Sequence, residues 1–289
     1  GMSHQGKWGG GPAAEEPAGG GRGPYLLGGM GYQDESGRRL HYGSYLKIPE
    51  LLSLQAGLTN AHDELLFIVV HQAYELWFKQ LIHELVAVRD AIDRDDLHRA
   101  RYYLRRVTVI EALLVEQVGV LETMAPQEFL AFRSELAPAS GFQSTQFREI
   151  EFVSGLKEPG YLKTLQGLPD DQARLQRRLD EPTLHDAYVA LLARRQVTVL
   201  DVYRRAGEHL DLFDLSEALL DHDEGFSLWR SRTIQMCERQ TGDKPGNAIP
   251  ARVPYSQTQL AHRFFPGLRP VSSQSSCVFL ATIAAAPGR

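Results

Sequence analysis

The sequence predicts an all-α fold, and three observations carry that expectation. From Pro49 to about Thr241 apolar residues recur at helical spacing, with little of the alternation of a half-buried strand. Helix-opening residues precede the periodic stretches, and prolines and glycines fall mainly at their boundaries. Apolar residues make up 43 % of 289, enough for a sizeable core and too many for a globally disordered chain.

The elements follow in order. Residues 1–31 hold 12 of the 26 glycines, with Pro12, Pro17 and Pro24 among them, and read as a flexible Gly-rich arm. Such a stretch buries too little surface to offset its ordering entropy. Residues 32–270 are expected to form one all-helical domain and 271–289 a C-terminal tail. Thr59 or Asn60 can cap a helix whose first turn holds Asp63 and Glu64, where acid complements the helix dipole. That helix runs to about Arg94. Pro126 and Gln127 open a short helix through Phe132. Ser134 to Gly155 is mixed and polar-aromatic; within it Ser140 to Ser144 and Gln146 to Glu151, dense in amides, hydroxyls and aromatics, suggest a buried polar network or a satisfied turn between helices. Residues 158–180 give one or two short helices broken at Pro169. Pro182 starts another that ends near Gly207, and a last one runs from about Leu215 to Gln240. Gly242 suits the position after its end.

Several function classes are excluded at this stage. A net charge of −5 is a poor match to the phosphates of a nucleic acid. Two cysteines, Cys237 and Cys277, make no disulfide scaffold and no CxxC unit, which points to a reducing, cytoplasmic compartment. The longest nearly uncharged apolar run, Cys277 to Ala286, is about half of the roughly 20 residues a membrane span needs. The residues that follow the start show no hydrophobic core of a signal peptide. GxSxG, GxxxxGK[ST] and HExxH patterns are absent.

The first long helix bears the chemistry. Phe67, His71, Tyr74 and Phe78 are spaced 4, 3 and 4 apart and share one stripe at about 100° per residue. A histidine among aromatics is either a hydrogen-bonded core residue or a base or ligand facing an aromatic-lined pocket. His62, His71 and His83 diverge round the helix, so no two of them share a metal. Phe129 and Arg133, four apart, put an aromatic ring and a guanidinium on one face. Arginine suits a bidentate grip on a carboxylate, or else a surface ion pair.

Several linked segments resemble the tryptophan 2,3-dioxygenase family in the same order. They are His41-Tyr42-Gly43-Ser44-Tyr45-Leu46, the run His62 to Gln72 with Glu75-Leu76-Trp77-Phe78-Lys79, and Phe129 with Arg133. Ser140-Gly141-Phe142-Gln143-Ser144, Asp221 to Gly242 with Phe226, Leu228, Trp229 and Arg230, and His262-Arg263-Phe264-Phe265-Pro266 continue the match. The resemblance spans roughly residues 40–268. It implies an all-helical, homotetrameric, haem-b fold that inserts dioxygen across the indole C2–C3 bond of L-tryptophan to give N-formylkynurenine. It implies that His71 is the distal histidine beside the indole nitrogen, that Phe67 and Phe129 line the indole pocket, and that Arg133 grips the substrate carboxylate. By the same resemblance Tyr42 and Tyr45 reach a neighbouring subunit's pocket, and Trp229, Ser140 and Gly141 contact the cofactor.

Two positions depart from the family's pattern. The family's iron-ligating histidine follows Trp-Arg-x-x, and here Trp229-Arg230-Ser231-Arg232 leads to Thr233. A neutral hydroxyl is a poor axial ligand for haem iron. The family's Gly-Thr-Gly-Gly loop is replaced by Gly246-Asn247-Ala248-Ile249-Pro250, where Asn247 can serve as the hydrogen-bonding group to the substrate. Candidates for the iron ligand are Cys237, one turn beyond Thr233; His222, eleven residues before it and about 16 Å along the axis; and His262, from a late loop. Three readings follow. One is a haem oxygenase of L-tryptophan or of a tryptophan or tyrosine derivative, dioxygenating or mono-oxygenating. The second is a haem- or ligand-binding protein without turnover, and the third is a haem-free descendant. Retention of the distal set favours the first, and Thr233 favours the others.

Overall fold

A computed structural model of the chain describes residue 37 and residues 40–136, 143–241 and 263–268. The chain divides into two compact units, Gly1–Leu54 and Gln55–Arg289. The division falls inside the 32–270 stretch expected to act as one domain. Among the described residues there are ten α-helices and no strand, as the all-α expectation requires.

The first unit holds two single-turn helices, α1 (Tyr42–Tyr45) and α2 (Ile48–Leu51). His41 caps α1: its ring nitrogen accepts from the Ser44 amide while its own amide donates to the Ser44 hydroxyl at 3.1 Å.

The second unit is built on three long helices: α3 (Glu64–Asp93), α4 (Leu97–Leu121) and α10 (Leu210–Thr241). The sequence reading did not separate α4. The break before it is local: Asp95 adopts a left-handed φ of 61°, and the Asp96 carboxylate then caps the Arg99 amide at 3.0 Å. α3 also begins differently from expectation. Thr59 is not its cap. Instead the buried Glu64 carboxylate turns back to accept the Leu58 and Thr59 amides at 2.6 and 2.8 Å and the Thr59 hydroxyl at 2.6 Å. That ties down the loop leading into α3 and holds the Glu64 pKa low, the Thr59 hydroxyl being the largest cause.

Shorter helices complete the unit. α5 (Pro126–Arg133) and α7 (Pro169–Asp180) both start on proline, whose missing N–H has no helical partner at that position anyway. The mixed Ser134–Gly155 stretch contains a regular helix, α6 (Thr145–Ser154), capped by the Ser144 hydroxyl. The helix expected from Pro182 to Gly207 is two, α8 (Leu184–Arg195) and α9 (Val199–Arg204). Gln196 takes φ 55° and Thr198 opens a fresh capping box with Asp201, so the chain stops and restarts. α10 starts five residues earlier than expected, at Leu210.

α4 is the spine. α3 and α10 each pack extensively along it rather than along each other. α3 runs antiparallel to α4: Gln117 donates to the Val70 carbonyl, Tyr74 to the Leu114 carbonyl, and Arg106 pairs with Glu84. α10 runs parallel to α4: His222 meets Glu111, Arg232 pairs with Glu122, and Gln240 donates to the Met124 carbonyl. Gly225 permits this approach, since a Cβ there would lie 2.7 Å from the Glu111 Oε2. Gly225→Ala should therefore destabilise the chain, although alanine favours a helix by about 1 kcal/mol. Chemical denaturation should give a lower midpoint for the variant, and a higher one would contradict this packing.

Candidate active site

The Phe67, His71, Tyr74 and Phe78 rings follow one another along α3. Ring centroids are 4.1 Å apart for Phe67 and His71, 6.4 Å for His71 and Tyr74, and 6.1 Å for Tyr74 and Phe78. α5 brings Phe129 to 5.8 Å and Phe132 to 5.6 Å from Phe67. The Arg133 guanidinium sits 5.7 Å from the Phe129 ring, close enough for a cation–π contact. His71, Phe67, Phe129 and Arg133 thus form a continuous series, with an imidazole at one end and a guanidinium at the other.

His71 has a defined hydrogen-bond state. Its Nδ1 lies 2.7 Å from the Phe67 carbonyl oxygen, an acceptor only, so Nδ1 bears the proton and donates. Nε2 is then left with a lone pair when the ring is neutral. Burial favours that neutral form and lowers the pKa, against the Phe67 carbonyl and the Glu75 charge, which both raise it.

The polar network suggested by the residues from Ser140 to Glu151 centres on a residue outside them, Glu75. Ser144 donates to the Glu75 carboxylate at 2.6 Å, and the Gln146 amide donates to the Glu75 carboxylate and carbonyl, both at 2.8 Å. This fixes the N-terminus of α6 against the middle of α3, one turn from His71. Ser140 and Gly141 lie outside the described residues, as do Asn247 and His262. Tyr42 and Tyr45 belong to the first unit, where both are exposed, 77 % and 70 %.

α10 supplies the opposite side of the aromatic seam. Trp229 meets Tyr74 at 5.7 Å, Phe78 at 5.3 Å, Phe147 at 5.7 Å and Phe226 at 5.6 Å. Because α10 is antiparallel to α3, the turn after Trp229 moves toward the Phe67–His71 end, and Thr233 occupies that turn. The Thr233 hydroxyl is buried and makes no hydrogen bond among the described residues, whereas the buried Trp229 indole N–H is directed at Tyr74. The indole N–H lies near enough to the Tyr74 phenol to oppose, slightly, the burial that pushes this phenol up to about 12.

The donors on α10 do not suit an iron that takes an imidazole. His222 is fully committed: Nε2 is 2.9 Å from the Ser154 hydroxyl and Nδ1 is 2.7 Å from Glu111, and all three residues are completely buried. This removes His222 as an iron-ligand candidate, because both ring nitrogens already have partners. Cys237 is half-buried and packs against the apolar core. Thr233 itself offers only a neutral hydroxyl.

Sequence reading missed Glu75, Glu111 and Ser154, since their partners lie 68 to 111 residues away, or 69 and 71 for Glu75. It also missed a buried ion cluster in which Glu151 receives Arg148 at 2.8 Å and Arg230 at 3.3 Å. Arg148 and Glu151 are a local pair three apart on α6, but nothing local marks the Arg230 partner from α10. A cavity of about 270 Å³ beside this cluster, lined by Glu151, Gly155, Leu156, Lys157, Glu158 and Tyr161, includes none of the seam residues.

Comparison with known proteins is consistent with this geometry. The model of the tryptophan 2,3-dioxygenase family matches residues 29–184. A protein of a Nocardioides species described as tryptophan 2,3-dioxygenase is 48 % identical over 255 residues, covering 81 % of this chain and 96 % of the relative. Proteins of Herpetosiphon aurantiacus and Caulobacter vibrioides with the same description are 42 % and 36 % identical, covering 79 % and 78 % of this chain and 96 % and 95 % of their own lengths. The family-model match ends where α8 begins, so Trp229 and Thr233 lie beyond it.

His222→Ala would leave the Glu111 carboxyl buried beside Asp223 without its ring partner. The expected cost is about 3 kcal/mol of stability, measured by denaturation. Parent-like stability would show that the His222 contacts are dispensable and would reopen His222 as a ligand.

Proposed function

Since the chain belongs to the tryptophan 2,3-dioxygenase family, we propose that it inserts dioxygen into the indole ring of L-tryptophan to give N-formylkynurenine. The observation that carries this reading is the neutral imidazole of His71, joined through Phe67 and Phe129 to the Arg133 guanidinium. The reading includes haem b as cofactor and dioxygen as co-substrate. Haem supplies the activation of dioxygen; every role below belongs to the chain's own residues.

The indole lies against the Phe67 and Phe129 rings, which exclude water and fix its plane. His71 Nε2 accepts the indole N–H, because Nδ1–H is already spent on the Phe67 carbonyl. Arg133 grips the substrate carboxylate with two parallel hydrogen bonds. Together these contacts fix both ends of the amino acid and leave the C2–C3 edge of the indole as the part free to react. Asn247 adds a hydrogen bond to the amino acid end, and Ser140, Gly141 and Trp229 contact the cofactor. Tyr42 and Tyr45, exposed on the first unit, reach a neighbouring subunit's pocket in a homotetramer. No described helix is long and apolar enough to cross a membrane. The cysteine usage supports a cytoplasmic enzyme, and the net charge of −5 speaks against a nucleic-acid partner.

Arg133→Ala should weaken L-tryptophan binding about tenfold to a hundredfold, the loss of a charge-assisted pair worth about 1.5–3 kcal/mol. Calorimetry on a variant with parent-like thermal unfolding tests it, and equal affinity would contradict the assignment.

pH dependence tests His71. Because burial lowers its pKa below the ordinary imidazole value of about 6.5, the acceptor lone pair persists from neutral pH down past that value. Affinity for L-tryptophan should therefore be level through about pH 6.5 and fall only at more acid pH, as Nε2 takes a proton. An affinity that rises as His71 protonates would overturn its role as acceptor.

A further inference from the structure

Glu75 follows His71 by one turn of α3. Residues four apart on a helix are surface neighbours, with Cβ atoms about 5–6 Å apart. Among the described residues the Glu75 carboxylate has no cationic partner. Ser144 donates to one oxygen at 2.6 Å and the Gln146 amide to the other at 2.8 Å, and both donors are neutral. That sets Glu75 apart from the buried carboxylates. Glu84, Glu149 and Glu151 each take an arginine, Glu111 takes the His222 ring, and Glu64 closes the loop before α3 through two amides. Neutral donors hold a carboxylate in place without cancelling its charge. Both donors stand at the start of α6, so the Glu75 charge is fixed between two helices and left for a neighbour to feel.

That neighbour is His71. The Glu75 charge favours the protonated ring, against the burial that disfavours it. Other charges on the surrounding elements are engaged elsewhere. Arg232 on α10 pairs with Glu122 on α4, Arg230 and Arg148 pair with Glu151, and Glu149 on α6 takes Arg174 and Arg178. Arg133 on α5 lies against the Phe129 ring. Lys79 on α3, Glu116 on α4 and Glu128 on α5 are exposed, and Asp63 stands two turns before His71. Of all these, Glu75 alone contributes by its charge to the His71 pKa.

We propose that Glu75 is a positioning residue for the oxygenase: its fixed charge, one turn from His71, keeps Nε2 a strong acceptor for the indole N–H. The inference rests on the oxygenase reading above, which makes that nitrogen the indole acceptor. Ser144 and Gln146 then serve the site by holding the carboxylate as well as by docking α6.

A negative charge stabilises the imidazolium, so its removal lowers the pH at which the ring takes a proton. The test follows the ring directly, by NMR of the full chain isotopically labelled at the histidine ring carbons, with His71→Gln identifying the signal. Glu75→Gln removes the charge and keeps the shape. Glu75→Ala removes both and serves where the first variant does not fold, whereas Glu75→Asp keeps the charge. The first two should lower the His71 titration point by about one pH unit, the scale of a single half-buried charge at this distance. Glu75→Asp should stay nearer to the parent than to Glu75→Gln. Calorimetry on the same proteins reconstituted with haemin should show the acid fall in L-tryptophan affinity moving in the same direction by the same amount.

An unmoved or raised titration point in Glu75→Gln and Glu75→Ala would overturn the proposal. So would an equal drop in Glu75→Asp, which would assign the effect to lost packing rather than lost charge. An acid fall in L-tryptophan affinity that does not follow the His71 titration would overturn it too. The oxygenase reading fails separately: L-tryptophan then binds neither the parent nor any variant at any pH, wherever His71 titrates.

Discussion

The register of α3 and α10 on α4 is the constraint on which the site depends. α4 meets the two helices on different faces, antiparallel to one and parallel to the other. Its contact with α10 closes on three fully buried residues, Ser154, His222 and Glu111, held by hydrogen bonds of 2.9 and 2.7 Å. Burial raises the Glu111 pKa, and the imidazole only partly opposes that rise. A group so costly to bury fixes position well, because any slip of α10 along α4 would strand the carboxyl without its partner. Gly225 extends the same contact by leaving room for Glu111. With α10 fixed, Trp229 falls among Tyr74, Phe78 and Phe147, and Thr233 falls toward the His71 end.

The substrate side follows from a second constraint, on α3. The Phe67 carbonyl decides which nitrogen of His71 bears a proton, and burial decides that the ring is neutral. Glu75, one turn further, holds α6 in place through Ser144 and Gln146. A single helix thus sets the tautomer of the acceptor, the aromatic wall beside it and the docking of the segment that follows α5. Family membership supplies the reaction, and the geometry supplies the reason why these residue types serve it.

Much of this was legible in the sequence, for physical reasons. A helical stripe is a local property, so the spacing of Phe67, His71, Tyr74 and Phe78 was enough to put four rings in a row, and likewise Phe129 with Arg133. Segment breaks were less legible. The 182–207 stretch keeps its apolar period across Gln196, and nothing in the period announces a left-handed residue followed by a new capping box. The Thr59 hydroxyl looked like a cap and is instead a donor to Glu64, because the cap motif depends on where the chain turns. Least legible were the buried polar contacts. The spacing of His222 put it on the Thr233 face but about 16 Å along the axis, and its partners on α4 and α6, visible only in the fold, removed it.

This chain carries out the family's reaction on L-tryptophan although Thr233 stands on α10 where the resemblance calls for a histidine. The most direct measurement is mass spectrometry of the product formed by the full chain with haemin, L-tryptophan and isotopically labelled dioxygen. The expected product is N-formylkynurenine in which both new oxygen atoms carry the label. Label in only one oxygen atom of the product, or no product although L-tryptophan and haem are both bound, would contradict it.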